Sequence, residues 1–389
     1  MPSPGGQFLS DEFGDIEDYF VSDYTIIDQY IGDQLWTWGL GNGGANALNT
    51  DNTGKSTPVT TFAGGTNWKQ VGGRAAIKTD GTLWVWGGNG GTLGTNDTTN
   101  RNTPVTTFAG GNDWKQVSEN GNMAAIKTDG TLWVWGTNSN AQLGTNDNIT
   151  RSTPVTTFAG GNDWKQVFVS TTAVAAVKTD GTLWVWGRND GFRLGIYDGP
   201  SRVSTPVTTF AGGTNWKQVS ISDTDAVRGG AAIKTDGTLW TWGTGFGSLG
   251  NNTTLFAVSS TPVTTFAGGT DWKQVALTKA IKTDGTLWTW GSRSGDNTNN
   301  SPLSPVTTFA GGTNWKQVAF NGGEYVAAIK TDGTLWVWGS GGEGKLGTND
   351  TTNRSTPVTT FAGGSNWNQV NMHTANMVAI KSGLTVDLS

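Results

Sequence analysis

The sequence predicts an all-β fold, a seven-bladed β-propeller of four-stranded antiparallel blades closed by pairing of strands from the first and last repeats. Three observations carry this expectation. The string Pro-Val-Thr-Thr-Phe-Ala-Gly-Gly occurs seven times unchanged, starting at Pro58, Pro104, Pro154, Pro206, Pro262, Pro305 and Pro357. Trp-x-Trp-Gly also occurs seven times, at Trp36, Trp84, Trp133, Trp184, Trp240, Trp288 and Trp336. A Trp-Lys-Gln-Val or Trp-Asn-Gln-Val segment adds one tryptophan per copy, so all 21 tryptophans are repeat positions. The apolar residues fall in short runs with no 3.6-residue period, which excludes a helical solenoid.

Each element follows from local chemistry. Residues 1–34 have no repeat character; they hold eight acids and no Lys or Arg, interleaved with Phe13, Tyr19, Phe20 and Tyr24 among other aromatics. They are expected to form an arm that docks into a larger assembly, the alternative being a strand or cap lying on their own propeller, and residues 35–389 form the propeller. Each copy then reads as four strands. In Leu83-Trp84-Val85-Trp86 the tryptophans share one face and Leu83 and Val85 the other, so the strand must be covered on both sides. Ala75-Ala76-Ile77-Lys78 joins it through Thr79-Asp80-Gly81-Thr82, and Asp-Gly between apolar runs signals a hairpin. Residues 58–62 and 68–71 flank Ala63-Gly64-Gly65, a further turn-forming string.

Closure can be read from where the repeat is cut. The first copy starts at Leu35 with no Ala-Ile-Lys strand before it, and the last ends at Lys381 with no Trp-x-Trp-Gly after it. The two ends are therefore expected to complete one blade and leave no bare inner edge. Residues 384–388 compete for the same strand position; they either add a further strand or leave the ring towards a partner.

Composition excludes several classes of function. Among 389 residues there is no cysteine and one histidine, so disulfides, thiolate metal sites and cysteine nucleophiles are ruled out and most metal centres and triads disfavoured. The net charge is −5, but without the arm the body carries 25 basic and 22 acidic residues, no footprint for nucleic acid. No stretch approaches the ~20 apolar residues of a membrane span, and the acidic start is the opposite of a signal peptide.

The order Ala75 through Gly87, followed by Leu93-Gly94 and Pro104-Val105, resembles the repeat of the regulator of chromosome condensation family, over roughly residues 35–389. The resemblance implies a seven-bladed propeller. It also implies the family's range of roles: nucleotide exchange on a small GTPase with chromatin binding in the founding member, and binding modules among the bacterial and phage relatives, the type this chain looks like. Many members carry a His before the Ala-Ala-Ile strand; here only His373 lies near such a place.

The repeat also indicates which rim binds. The Ala-Gly-Gly and Thr-Asp-Gly strings lie on one rim and hardly vary, whereas the opposite rim holds loops that vary in length and sequence. From the repeat tryptophan to the apolar residue of the next strand there are 9, 12, 13, 17, 9, 14 and 13 residues. Phe192, Arg193, Tyr197, Phe246, Leu255 and Phe256 make one sector of that rim aromatic, and the longest loop, 220–230, adds Asp223, Asp225 and Arg228. Aromatic and Arg residues are enriched at binding hot spots, so these nine are the candidate partner-binding residues. The alternative is that the apolar ones plug the end of the ring.

No catalytic or metal site is expected. Asp80 and its equivalents are hairpin residues, Lys78 and its counterparts a solvated rim, the Thr-Asn-Asp loops too poor in carboxylates for calcium, and His373 isolated. No cofactor is implied. The function read first is a non-enzymatic structural and interaction protein, a phage virion component (tail, baseplate or fibre) that docks by its arm and presents variable loops to a partner protein, a host surface protein or a glycan. Its location would be the virion, otherwise the cytoplasm. The alternative is a free-standing protein- or carbohydrate-binding propeller, and after that a small-GTPase regulator. Strand tryptophans at every blade read as packing between blades, which argues against sugar stacking.

Overall fold

A computed structural model describes residues 29–30, 32–49, 53–62, 65–224, 226–298, 300–373, 376–383 and 385–386. Seven four-stranded antiparallel sheets form the blades. Blade 1 contains, from the axis outwards, Trp68–Val71, Ala75–Lys78, Leu83–Gly87 and Arg101–Thr106. Blades 2 to 6 repeat this order, starting at Trp114, Trp164, Trp216, Trp272 and Trp315. Blade 7 joins the two chain ends: Trp367–His373 and Asn376–Lys381 pair with Gln34–Gly39 and Lys55–Thr60. The closure expected from the cut in the repeat is thus observed, with Leu35 opposite Ile380 and Trp36 opposite Ala379. Thr385–Val386 takes no place in the blade; it pairs with Gln29–Tyr30 in a separate two-stranded sheet.

One detail of the strand grouping differs from the reading of single copies. The Pro-Val-Thr strand and the Trp-Lys-Gln-Val strand that follows it belong to neighbouring blades, the first outermost and the second innermost. The Ala-Gly-Gly string therefore crosses between blades. Proline explains the placement, because Pro104 has no N–H to give a ladder and suits an outer edge.

The tryptophans fill the seams. In blade 3, Trp164 and Trp186 are fully buried and meet edge-on at 6.2 Å, while Trp184 packs on Trp164 at 6.0 Å. The second tryptophan of Trp-x-Trp reaches into the preceding blade: Trp86 Nε1 donates to the Ala45 carbonyl, Trp186 to Gln142 and Trp242 to Arg193. The glycine after it bulges the third strand, with φ of 102° at Gly187, where a Cβ would lie 2.4 Å from the Thr172 oxygen.

The inner edges are closed by glutamine rather than by strand pairing. Each innermost strand would present bare N–H and C=O groups to the axis. At all seven seams the glutamine of one blade accepts from the valine N–H of the next, from Gln70 to Val117 around to Gln369 and Val71, at 2.8–3.1 Å. Gln70, Gln116, Gln274 and Gln317 also donate to the carbonyl of that valine. Gln116→Ala, which strips both bonds from Val167, is expected to lower stability by about 1–3 kcal/mol, read as a lower urea midpoint with an unchanged m-value.

Candidate functional site

Strand directions put the Thr-Asp-Gly turns and the Ala-Gly-Gly crossings on one rim, the turn rim, and all variable connections on the other, the loop rim. Asp80 accepts from the Thr82 N–H and hydroxyl at 2.9 and 2.7 Å, bonds that hold its carboxyl below the usual range and confirm a turn role. The repeated lysine is not simply solvated, as the sequence suggested. Lys78 Nζ lies 4.9 and 4.8 Å from the Trp68 and Trp84 ring centroids, and every blade repeats this cation–π sandwich.

On the loop rim, blade 4 is tall and blade 5 is low. The inner hairpin of blade 4, Trp216–Asp223 and Val227–Lys234, has eight residues per strand. That of blade 5, Trp272–Ala276 and Lys279–Lys282, turns over only Leu277 and Thr278. The blade 4 hairpin leans past its short neighbour to blade 6, where Ser222 Oγ donates to the Asn321 carbonyl at 3.0 Å and Thr224 Oγ1 to that of Gly322 at 2.5 Å. The space over blade 5 is a cleft of about 1150 Å³.

The cleft is polar and partly cationic. Arg293, Lys345 and Arg354 line it with Asn120, Asn321 and Trp338. Lys345 pairs with Glu343 at 3.3 Å and Arg354 with Asp350 at 2.6 Å. Arg293 is exposed, is held at φ 57°, and has no ion pair among the described residues. Asn120 Oδ1 and Ser292 Oγ, on residues that line the cleft, are buried without a hydrogen-bond partner. Beneath the cleft Lys279 is wholly buried, donating to Thr278 Oγ1 and to the Trp290 and Ser292 carbonyls at 2.9–3.2 Å; burial lowers its pKa well below the ordinary value. It occupies the position of alanine in blade 1 and its three bonds fasten the cleft floor.

The eight described residues among the nine singled out from sequence do not form one exposed surface. Arg193 is 2% exposed and works inside the fold: its guanidinium pairs with Asp190 at 2.7 Å and donates to Thr172 Oγ1 at 3.0 Å. Asp223 lies 3.9 Å from Arg193 and accepts from Thr172 at 2.7 Å. A buried guanidinium with its own carboxylates cannot serve as an exposed anchor, so this pair is corrected to a structural brace. Tyr197 packs on Phe210 of the repeat string at the outer circumference, 5.3 Å between centroids. Phe246 and Phe256 form a second aromatic pair at 5.1 Å, and Phe246 alone of the nine lines the cleft. Phe192 is 41% exposed, Leu255 and Arg228 are half-buried, and Asp225 lies outside the described residues. Phe13, Tyr19, Phe20 and Tyr24 also lie outside them.

Sequence reasoning missed the cleft because it attended to the longest loop; the signal was the juxtaposition of the longest spacing, 17 residues from Trp216 to Ile233, with one of the two shortest, nine from Trp272 to Ile281. It also missed a buried ionic cluster across blades 7, 1 and 2. Glu119 Oε1 pairs with Arg74 at 2.9 Å and lies 3.6 Å from His373 Nε2, while Oε2 accepts from the Arg74 N–H. Burial alone would raise the Glu119 carboxyl, but the Arg74 guanidinium, with His373, outweighs it and holds the carboxyl at about 2. Burial lowers the His373 pKa despite Glu119. His373 is therefore part of a seam.

Comparison with known proteins agrees with this geometry. Residues 129–177 and 332–375 match the profile of the regulator of chromosome condensation (RCC1) repeat. Two segments of the chain, in blades 2–3 and 6–7, are thus similar to that repeat. Solved structures share the propeller: human WBSCR16 superposes with a TM-score of 0.76 at 17% identity, covering 91% of this chain and 100% of its own. Yeast RCC1 (Prp20), solved with Kap60 bound, gives 0.76 at 18% identity over 92% and 91% of the two chains. Prp20p from Saccharomyces cerevisiae, described with its binding to Gsp1p and histones, gives 0.76 at 17% over 92% and 94%. No curated protein matches the sequence. Among the described residues no three His, Cys, Asp or Glu side chains could share a metal ion, and no helix is long and apolar enough to cross a membrane.

Proposed function

We propose that this RCC1-repeat propeller is a non-enzymatic protein-interaction module that holds its partner at the loop-rim cleft above blade 5. The observation that carries this reading is the cleft itself. Blade 5 is cut short beside the tall blade 4, and the recess there holds the exposed Arg293 and two buried acceptors without a partner. Pockets with a few convergent polar groups are where binding concentrates.

Among protein partners, a small GTPase is favoured by the fold likeness to Prp20p, which is described by its binding to Gsp1p and histones. A place in a phage virion draws no support from these yeast and human neighbours. The test is capture of partners by the full chain, followed by titration of the purified pair. Arg293→Glu is expected to weaken binding at least tenfold, whereas Lys165→Glu on the turn rim leaves it unchanged. Equal affinities for all three proteins would exclude the cleft. If the captured partner is a GTPase, acceleration of nucleotide release separates a regulator from a passive binder. Recovery of the chain in purified phage particles would instead restore the virion reading.

A further inference from the structure

The constant turn rim carries a feature that the partner-binding cleft does not use. In every blade the innermost strand is bulged between its tryptophan and its glutamine: Trp68 pairs with Lys78 and Gln70 with Ile77, leaving Lys69 as the extra residue. The same break occurs at Lys115, Lys165, Lys217, Lys273 and Lys316. A bulge turns its extra residue out of the ladder, and all six lysines are exposed with no ion pair among the described residues. They stand on the strands nearest the axis, while the Asp80-type carboxylates sit further out, on the turns between second and third strands. The result is an incomplete ring of positive charge around the axial mouth. In blade 7 the position is Asn368, which accepts from Lys316 Nζ at 3.1 Å.

The chain enters the fold beside that gap. Gln29–Tyr30 pairs with Thr385–Val386, just beyond Lys381 at the turn-rim end of blade 7. A Cβ on Gly32 would lie 2.5 Å from Asn67 Oδ1 and 2.8 Å from Thr66 Cβ, and the Asp33 carbonyl accepts from the Trp68 N–H at 3.3 Å. The entering segment thus lies against the start of the innermost strand of blade 1, one residue from Lys69. Ahead of it are residues 1–28, with seven acids (Asp11, Glu12, Asp15, Glu17, Asp18, Asp23 and Asp28) and no Lys or Arg. At about 3.3–3.6 Å per extended residue this length of chain can reach every lysine of the ring.

We propose that residues 1–28 dock on the lysine ring of their own propeller, on the turn rim. Single exposed pairs are weak, but the tether supplies a high local concentration and several pairs act together. The same rim presents phenylalanines at its outer edge, Phe108, Phe158, Phe210, Phe266, Phe309 and Phe361 each 64–66% exposed, a match for the aromatics interleaved with the acids. Asn368 in place of lysine leaves an uncharged sector where the arm enters. Because the cleft is on the opposite rim, docking of the arm and binding of a partner are independent.

Zero-length carbodiimide coupling of the full chain tests this, since it joins a carboxylate to an amine only when they touch. The expected result is amide links from acids at positions 11–28 to the six ring lysines. In an equal mixture of light and heavy-isotope protein they form within one chain, and they fade in about 0.5 M salt, where the Debye length is only a few ångströms. Chymotrypsin should cut the arm of the Lys115→Gln, Lys165→Gln, Lys217→Gln, Lys273→Gln variant at least fivefold faster than that of the unaltered chain, with the melting temperature of the ring unchanged. Equal cleavage rates together with links spread over Lys55 and Lys345 would overturn the proposal. Mixed-isotope links would overturn it as well, by making a second copy the occupant.

Discussion

Trp186→Ala is expected to lower the stability of the ring by about 3–5 kcal/mol, the range for an aromatic deleted from a core. Three losses combine at one position. The indole is fully buried, it meets Trp164 edge-on at 6.2 Å, and its N–H is the donor that reaches the Gln142 carbonyl in the neighbouring blade at 3.0 Å. Truncation leaves a cavity at a seam and a buried acceptor without a donor. Trp184→Ala, two residues away, should cost about half as much, because that ring is half-exposed and its N–H bonds locally to Thr182 Oγ1. Urea unfolding of the two variants measures the difference. Equal losses would show that the seam contact is not what makes the second tryptophan of each Trp-x-Trp indispensable.

Glu119→Gln is expected to cost about 3 kcal/mol at pH 7, because it leaves the Arg74 guanidinium, 12% exposed, beside a neutral amide. The pH dependence identifies the cause. In the folded chain the Glu119 carboxyl is held at about 2, below the ordinary glutamate value of 4.5, so the folded state favours the ionised form. The stabilisation is complete above pH 4.5 and is lost as pH falls from there towards 2; a shift of that size is worth about 3 kcal/mol. His373 acts in the same direction, since a folded pKa lowered by burial means that the unfolded chain takes up the proton first as pH drops below the ordinary histidine range. Stability of the unaltered chain should therefore fall steeply between pH 5 and 3. The variant should start lower and fall less, and parallel curves would count against the ionic latch.

Much of the architecture was legible in the chain. Seven copies of one string leave few alternatives to a closed ring, and the missing strands at the two ends predicted the joint blade in which Gln34–Gly39 pairs with Asn376–Lys381. Asp80 was readable as a turn residue because Asp-Gly chemistry is local. The candidate site was less legible. Arg193 and Tyr197 were chosen by residue type, yet a side chain's type does not tell whether it points to solvent; Arg193 turned inwards to Asp190 and Thr172. Lys78 and Lys69 look alike in sequence, but the ladder pairs one beside two tryptophan rings and a bulge expels the other.

Periodicity, turn chemistry and the placement of proline are written along the chain, so strand number, blade number and the manner of closure could be derived before any coordinate. Contacts between residues fifty or three hundred positions apart could not. The glutamine clasps, the Glu119–Arg74–His373 cluster and the cleft above blade 5 exist only because the ring brings separate blades to hydrogen-bonding distance. In this protein the repeat dictates the scaffold, because each blade is stabilised by the same local pattern. Tertiary structure decides the surface, because there the differences in height between neighbouring blades, rather than the repeat, determine what a partner meets.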